Sequence, residues 1–338
     1  VAQPREHNLT DFVYKISFAA NYVVFKTDCI FELTLQPPME ECMKRSLLFI
    51  VIVIALSAFG QVFAQESGPP NVLLIVREDI KPGMMGVHGR HAAEFVSAFG
   101  KLQTPNYRIA LVPVAGSENE VMYITGAGTF AELEGMQKAT DEKLGAASGM
   151  IKADLNRLDK EAPDLHAGMR DMFAIFRPDF SYDAGVKIAT MRYFAITTTR
   201  VRFGHEDEYA ELVKITRAAR EKAKAELHIA AFQVIAGTGA NTYMFFRPMK
   251  SLAEYDLKIA ARVRAAMTDD QQKRVDKLAT DAINTSETSV YAMTPAMSYI
   301  SKEMMAGDPA FWTPKPMAIA KPKPKKRVVK MAPATPTQ

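Results

Sequence analysis

The chain has 338 residues, 48% hydrophobic and 24% charged, with two cysteines and a formal net charge of +4. These values exclude collagen-like, wholly disordered, disulfide-stapled and multi-span membrane chains. Seven Lys and Arg follow Trp312 and no acid does, so the remainder carries −3; the basic character belongs to a tail, and no nucleic-acid partner is expected.

Residues 1–42 precede Met43, which is followed by Lys44, Arg45, an apolar run from Leu47 to Phe59 and the ending Val62, Phe63, Ala64. A positive start, an apolar segment of about a dozen residues and a small-x-small ending form the layout of a secretory signal peptide. Residues 43–64 are read as one, cleaved between Ala64 and Gln65. Met43 is then the expected start and 1–42 a doubtful upstream extension; if that extension is retained, Leu47 to Phe63 reads as a signal anchor. Cys29 and Cys42 both lie upstream of the cut, so the mature chain is expected to lack thiol catalysis, disulfides and cysteine-ligated metals. A periplasmic or extracellular address follows.

Two units, 71–183 and 190–300, parse in the same way. Val72 to Val76 and Tyr193 to Thr199 are β-rich first strands. A turn at Gly83 or Gly204 leads into a helix. Its apolar stripe is Val87, His91, Phe95, Ala98 and Leu102 in the first unit, and Tyr209, Leu212, Val213, Thr216, Ala219 and Ala223 in the second. Arg108 to Val114 and Ile229 to Ile235 are second strands, joined by glycine turns to third strands at Val121 to Thr125 and Thr242 to Arg247. Helical regions follow at about 130–160 and 251–286, and Met172 to Phe176 and Ser289 to Met293 are last strands.

The two parses are linked by self-similarity. Ile80–Gly83 recurs as Val201–Gly204 and Val114–Gly116 as Ile235–Gly237, both at an offset of 121. Phe130–Leu133 recurs as Leu252–Tyr255 at 122, and Pro178–Tyr182 as Pro295–Tyr299 at 117. Four matches in one order at nearly constant spacing are read as a tandem duplication.

The order β-α-β-β-α-β is the split βαβ arrangement, whose sheet has helices on one face only and needs cover on the other. Strand order, the glycine turn after the first strand and the repeat together resemble the dimeric α/β-barrel superfamily, in particular its antibiotic-biosynthesis-monooxygenase-like branch, over about residues 71–300. The resemblance implies an α+β fold of two tandem ferredoxin-like units packed sheet to sheet as a pseudo-dimeric α/β barrel, either as a monomeric pseudo-dimer or as a homo-oligomer. It also implies an apolar ligand pocket and, as in the cofactor-independent oxygenases of the branch, an oxidisable aromatic substrate.

Ligand-binding candidates are the polar and aromatic residues assigned to strands: Arg77, Tyr107, Tyr123, Tyr193, Arg200, Tyr243 and Arg247. An Arg or Tyr in an apolar cavity fixes a phenolate, enolate or carboxylate by charge-assisted hydrogen bonds. As structural residues, the rings fill the core and the guanidinium groups sit in water at strand ends. His88 and His91, three apart on one helix face, complete the set. Such a pair could ligate a metal or haem iron or serve as acid and base. However, His91 falls on the apolar stripe and the second unit has Tyr209 and Leu212 at the matching positions, so a structural role is preferred and neither metal nor cofactor is expected. His166, His205 and His228 read as isolated. No dinucleotide fingerprint, phosphate loop or nucleophile elbow is present.

Residues 313–338 alternate Lys with Pro and Ala, cannot bury a core and are expected to be a disordered tail, with weak contact to an anionic surface as its one candidate role. The reading is an exported small-molecule-binding barrel whose partner is a small apolar or aromatic molecule, with cofactor-independent monooxygenase-like catalysis as its enzymatic form. The alternative is a non-catalytic periplasmic binding or structural protein.

Overall fold

A computed structural model describes residues 68–313; the expected signal segment, both cysteines and the tail beyond Thr313 lie outside them. Among the described residues no helix is long and apolar enough to cross a membrane. The described residues form eight strands: β1 (Val72–Ile80), β2 (Ile109–Ala115), β3 (Glu120–Ala127), β4 (His166–Phe176), β5 (Tyr193–Val201), β6 (Ala230–Ala236), β7 (Thr242–Met249) and β8 (Ile283–Met293). Helices α1 (Met85–Leu102), α2 (Phe130–Gly145) and α3 (Gly149–Leu165) belong to the first half. The second half has α4 (Glu206–Lys222), α5 (Ile259–Ala265) and α6 (Asp269–Ala282), and the chain ends in α7 (Lys302–Gly307) and α8 (Pro309–Trp312).

The strands form one closed barrel in the order β1-β3-β2-β8-β5-β7-β6-β4, with every ladder antiparallel. The first four strands are neighbours as β4-β1-β3-β2 and the last four as β8-β5-β7-β6. The two groups are stitched at their edges, β2 to β8 and β4 to β6. The expected α+β barrel is present, with one refinement: its two sheets are hydrogen-bonded at their edges and not merely packed face to face, so both curl into a single closed surface and among the described residues no strand edge is left open.

Closure also explains why Val72 to Val76 is apolar without alternation. Both faces are covered, one by the barrel interior and the other by helices. Leu73 and Ile75 join the interior cluster with Leu111, Met122, Met172, Ile196, Phe232 and Met244. Ile80, on the outer face, packs against Ala92 of α1 with Val121, Tyr123 and Met297.

The turns after β1 and β5 are built alike. Gly83 has φ +79° and Gly204 φ +80°, a conformation in which a side chain is strained. Each turn reverses the chain so that the next helix lies back across the outer face.

Several expectations are corrected in detail. The 130–160 region is two helices, parted at Gly149 with φ +56°. The 251–286 region is a 3-10 turn and two helices that stop at Ala282, because Ile283 already pairs with Val201. Both last strands are longer than the apolar runs that mark them, and their first turns are solvent-facing. In α1 the buried line is His88, His91, Ala92, Ala98 and Phe99, and Val87 is exposed. Finally, the fold does not end at residue 300: Met304, Phe311 and fully buried Trp312 pack on the interior cluster, and the Trp312 indole donates to the Ala189 carbonyl at 2.8 Å.

Candidate functional site

One end of the barrel holds an apolar cavity of about 350 Å³, within the range of about 300–1,000 Å³ typical of small-molecule sites. The first half contributes Leu73, Ile109 and Ile124; the second contributes Phe194, Phe232 and Phe246 with Ala230 and Pro248. The linker residues Ala184, Val186 and Ile188 and the closing segment at Ile300 and Met304 cover it. The wall is therefore aliphatic on one side and aromatic on the other. Phe246 meets Phe194 and Phe232 edge-on, with centroids 6.0 and 5.5 Å apart. Among the described lining residues the titratable side chains are Tyr107, Arg108 and His228 alone. Such a cavity supplies desolvation and shape, and little acid-base chemistry.

The nine sequence candidates are spread over both faces of the sheet and both ends of the barrel. Only Tyr107 lines the cavity, and it corrects its own assignment: it precedes β2, is exposed, and stacks on Tyr299 at 5.1 Å. Arg77 lies on the interior face four residues beyond Leu73, about 13 Å along the strand. There its guanidinium meets Glu120 at 2.5 Å, and Tyr291 donates to the other oxygen of that carboxylate at 2.7 Å. Burial alone would lower the Arg77 pKa; the hydrogen bond and charge of Glu120 outweigh it and the net shift is upward. Burial, then the Glu120 carboxylate, raises that of Tyr291. This network fills the barrel end away from the cavity.

Tyr123 and Tyr243 face outward and are buried beneath helices. Tyr123 lies under the Arg108 guanidinium at 4.7 Å, and its hydroxyl pKa is raised chiefly by burial. Tyr243 stacks with Phe180 and Tyr209. Tyr193 is half-buried on β5, and Arg200 is exposed beside Gly239. Arg247 lies over the Tyr255 ring and 3.7 Å from Glu254.

His88 and His91 do not share a site. The His91 ring donates from Nε2 to the Leu158 carbonyl at 2.7 Å, a bond between α1 and α3. His88 turns instead to the outer face of the sheet, where its Nε2 lies 2.8 Å from Oε2 of Glu78. His166, read as isolated in the sequence, approaches the same oxygen at 3.2 Å and stands edge-on to His88 with centroids 5.1 Å apart. His166 is 88 residues from Glu78 and reaches it only through the β1–β4 pairing, so nothing near it in the sequence marks the contact. Burial pushes the Glu78 pKa up, but hydrogen bonds from His166 and His88 prevail and hold it at about 2. The Glu78 hydrogen bond is the main cause of an upward shift at His166. Among the described residues, these three form the cluster that could hold a metal ion.

No family model and no curated protein matches the chain. Among solved structures, a candidate monooxygenase of Lactobacillus acidophilus is 8% identical, with a TM-score of 0.39, over 66% of this chain and 94% of that one. An anthrone oxidase-like protein is 10% identical with a TM-score of 0.39, over 67% and 92%. A mutant chlorite dismutase from Candidatus Nitrospira defluvii is 10% identical with a TM-score of 0.40, over 70% and 95%. Likeness at this level carries no information on activity, and the description of the barrel rests on its own strand pairing.

Proposed function

We propose that this chain is an exported barrel protein that binds a small apolar or aromatic molecule in the barrel-end cavity. The observation that carries the reading is the cavity itself: lined by both halves, walled by aliphatic side chains facing three phenylalanines, with its few polar groups restricted to Tyr107, Arg108, His228 and Ser301. Releasing apolar ligand surface from water contributes about 25 cal/mol per Å² buried, and a planar ring can lie against the Phe side while an alkyl part fills the Leu and Ile side. Two tandem ferredoxin-like units are supported as the origin of the barrel by the matched strand orders, the paired glycine turns and the nearly constant sequence offset. Export is supported by the pattern of residues 43–64; N-terminal sequencing of the mature protein should start at Gln65, and a start at or before Met43 would contradict it.

Monooxygenase-like chemistry is the enzymatic form of this reading. It would rest on a substrate that is itself readily oxidised, because the cavity offers desolvation more than proton transfer. The neutral fluorophore N-phenyl-1-naphthylamine tests binding: saturable one-site enhancement is expected. The Ala230→Phe variant, which fills the cavity, should weaken it at least about tenfold while keeping the unfolding midpoint. Non-saturable enhancement, or affinity indifferent to Ala230→Phe, would refute the site. Oxygen uptake with quinols and phenols separates the two forms: turnover abolished by Ala230→Phe favours the enzyme, and binding without turnover favours the non-catalytic protein.

A further inference from the structure

We propose that Glu78, His88 and His166 form a binding site for a divalent first-row transition-metal ion, on the outer face of the first half and separate from the cavity. The three ligand atoms come from β1, α1 and the start of β4 and lie within 4.8 Å of one another, with 2.8 and 3.2 Å from the two imidazole nitrogens to one carboxylate oxygen. Ligands held about 2.1 Å from a tetrahedral ion are spaced about 3.4 Å apart, so the two contacts to Glu78 lie about 0.6 and 0.2 Å short of that spacing, within reach of small side-chain rotations.

Orientation supports the same assignment. A carbonyl only accepts, so Nδ1 of His166, 2.7 Å from the Ala162 carbonyl, carries its proton there and presents Nε2 to Glu78. This outer hydrogen bond is the usual device for aiming a metal-ligating imidazole. His88 makes no hydrogen bond through Nδ1, so nothing else fixes its tautomer. Its side chain is 2% exposed, whereas those of Glu78 and His166 are 17% exposed. The ion would thus have a buried anchor and a side open to water for a further ligand. Two imidazoles and one carboxylate suit zinc or iron(II) and its neighbours, and not calcium or magnesium.

The fold itself does not call for this cluster. Ile80 pairs with His166 past a register shift in β1, and Val201 pairs with Ile283 past the same shift in β5. The counterparts of Glu78, His88 and His166 are therefore Thr199, Tyr209 and Ile283, a set with no ligand triad that seats α4 on its strands through an aromatic and apolar contact. The first half has kept three ligating groups where the scaffold accepts ordinary core residues.

The test is equilibrium dialysis of the untagged full chain against Zn²⁺. One ion per chain is expected, with affinity at least about tenfold weaker in Glu78→Gln and in His166→Gln. No binding, or binding indifferent to both substitutions, would overturn the site. If either variant fails to fold, zinc-edge X-ray absorption of the wild-type protein decides: scattering from two imidazoles is expected, and a shell without imidazole contradicts the proposal. Ala230→Phe should leave Zn²⁺ binding unchanged, so failure here is distinguishable from failure of the cavity reading.

Discussion

The two halves of the barrel place different chemistry on one scaffold. Glu78, His88 and His166 occupy one outer face, and Thr199, Tyr209 and Ile283 occupy the corresponding face of the other. Inside the barrel, Leu73 and Ile124 of the first half correspond to Phe194 and Phe246 of the second. The backbone demands are met twice in the same way, by a glycine turn, antiparallel ladders and a covering helix. The side chains that differ are those that scaffold geometry leaves open, and both the metal cluster and the asymmetric cavity wall lie among them.

The largest effects are expected at the seams between the halves. A Cβ added at Gly237 (φ +90°) would sit 1.9 Å from the Asp171 carbonyl oxygen, in the backbone of the β4–β6 seam. At Gly116 (φ +132°), beside the β2–β8 seam, the nearest atom is the Ser289 hydroxyl at 2.6 Å. Gly237→Ala should therefore cost about 4 kcal/mol or more and Gly116→Ala about 2 kcal/mol, measured by denaturant unfolding. Equal costs would mean that the seams are not closed as described.

Transplanting the second-half set into the first, as Glu78→Thr, His88→Tyr and His166→Ile together, should abolish Zn²⁺ binding while changing stability by about 2 kcal/mol or less. Collapse of the fold would show that the halves are not interchangeable at this place.

The same cluster predicts a pH dependence of metal-free stability. The folded-state pKa of Glu78 is depressed to about 2, so its contribution is present above the ordinary carboxylate value and lost as pH falls toward 2. That of His166 is raised, so its contribution is full below the ordinary imidazole value and lost as pH rises through the raised one. With chelator present, the excess unfolding temperature of wild type over Glu78→Gln should peak near about pH 5 to 6, and a flat difference would count against the ion pair. The smallest effect belongs to the cavity wall: Phe246→Ile should weaken the aromatic probe a few-fold, by loss of ring contact worth about 1 kcal/mol.

Much of the scaffold was legible in the sequence. The glycine turns at Gly83 and Gly204 and the recurring offset placed strands and helices in order, because they reflect local backbone demands. What escaped depends on contacts between distant segments. His166 has no sequence neighbour that marks it, and only the β1–β4 register brings it to Glu78. Arg77 and Glu78 are adjacent in sequence, yet alternation sends one into the barrel and the other beneath α1. Whether Leu73 or Leu74 faced the cavity depended on closure, which no local pattern encodes. Phe311 and Trp312, placed just before the basic tail, were the available signal that the fold runs past residue 300.

Methyl NMR of ¹³C-methionine-labelled protein shows whether the barrel-end cavity binds a ligand. Met304 lines the cavity, whereas Met84 and Met85 lie at the foot of α1 on the outer face. On titration with N-phenyl-1-naphthylamine, the Met304 methyl should shift saturably while those of Met84 and Met85 stay fixed. A stationary Met304, or shifts confined to Met84 and Met85, would mean that the cavity is not the binding site.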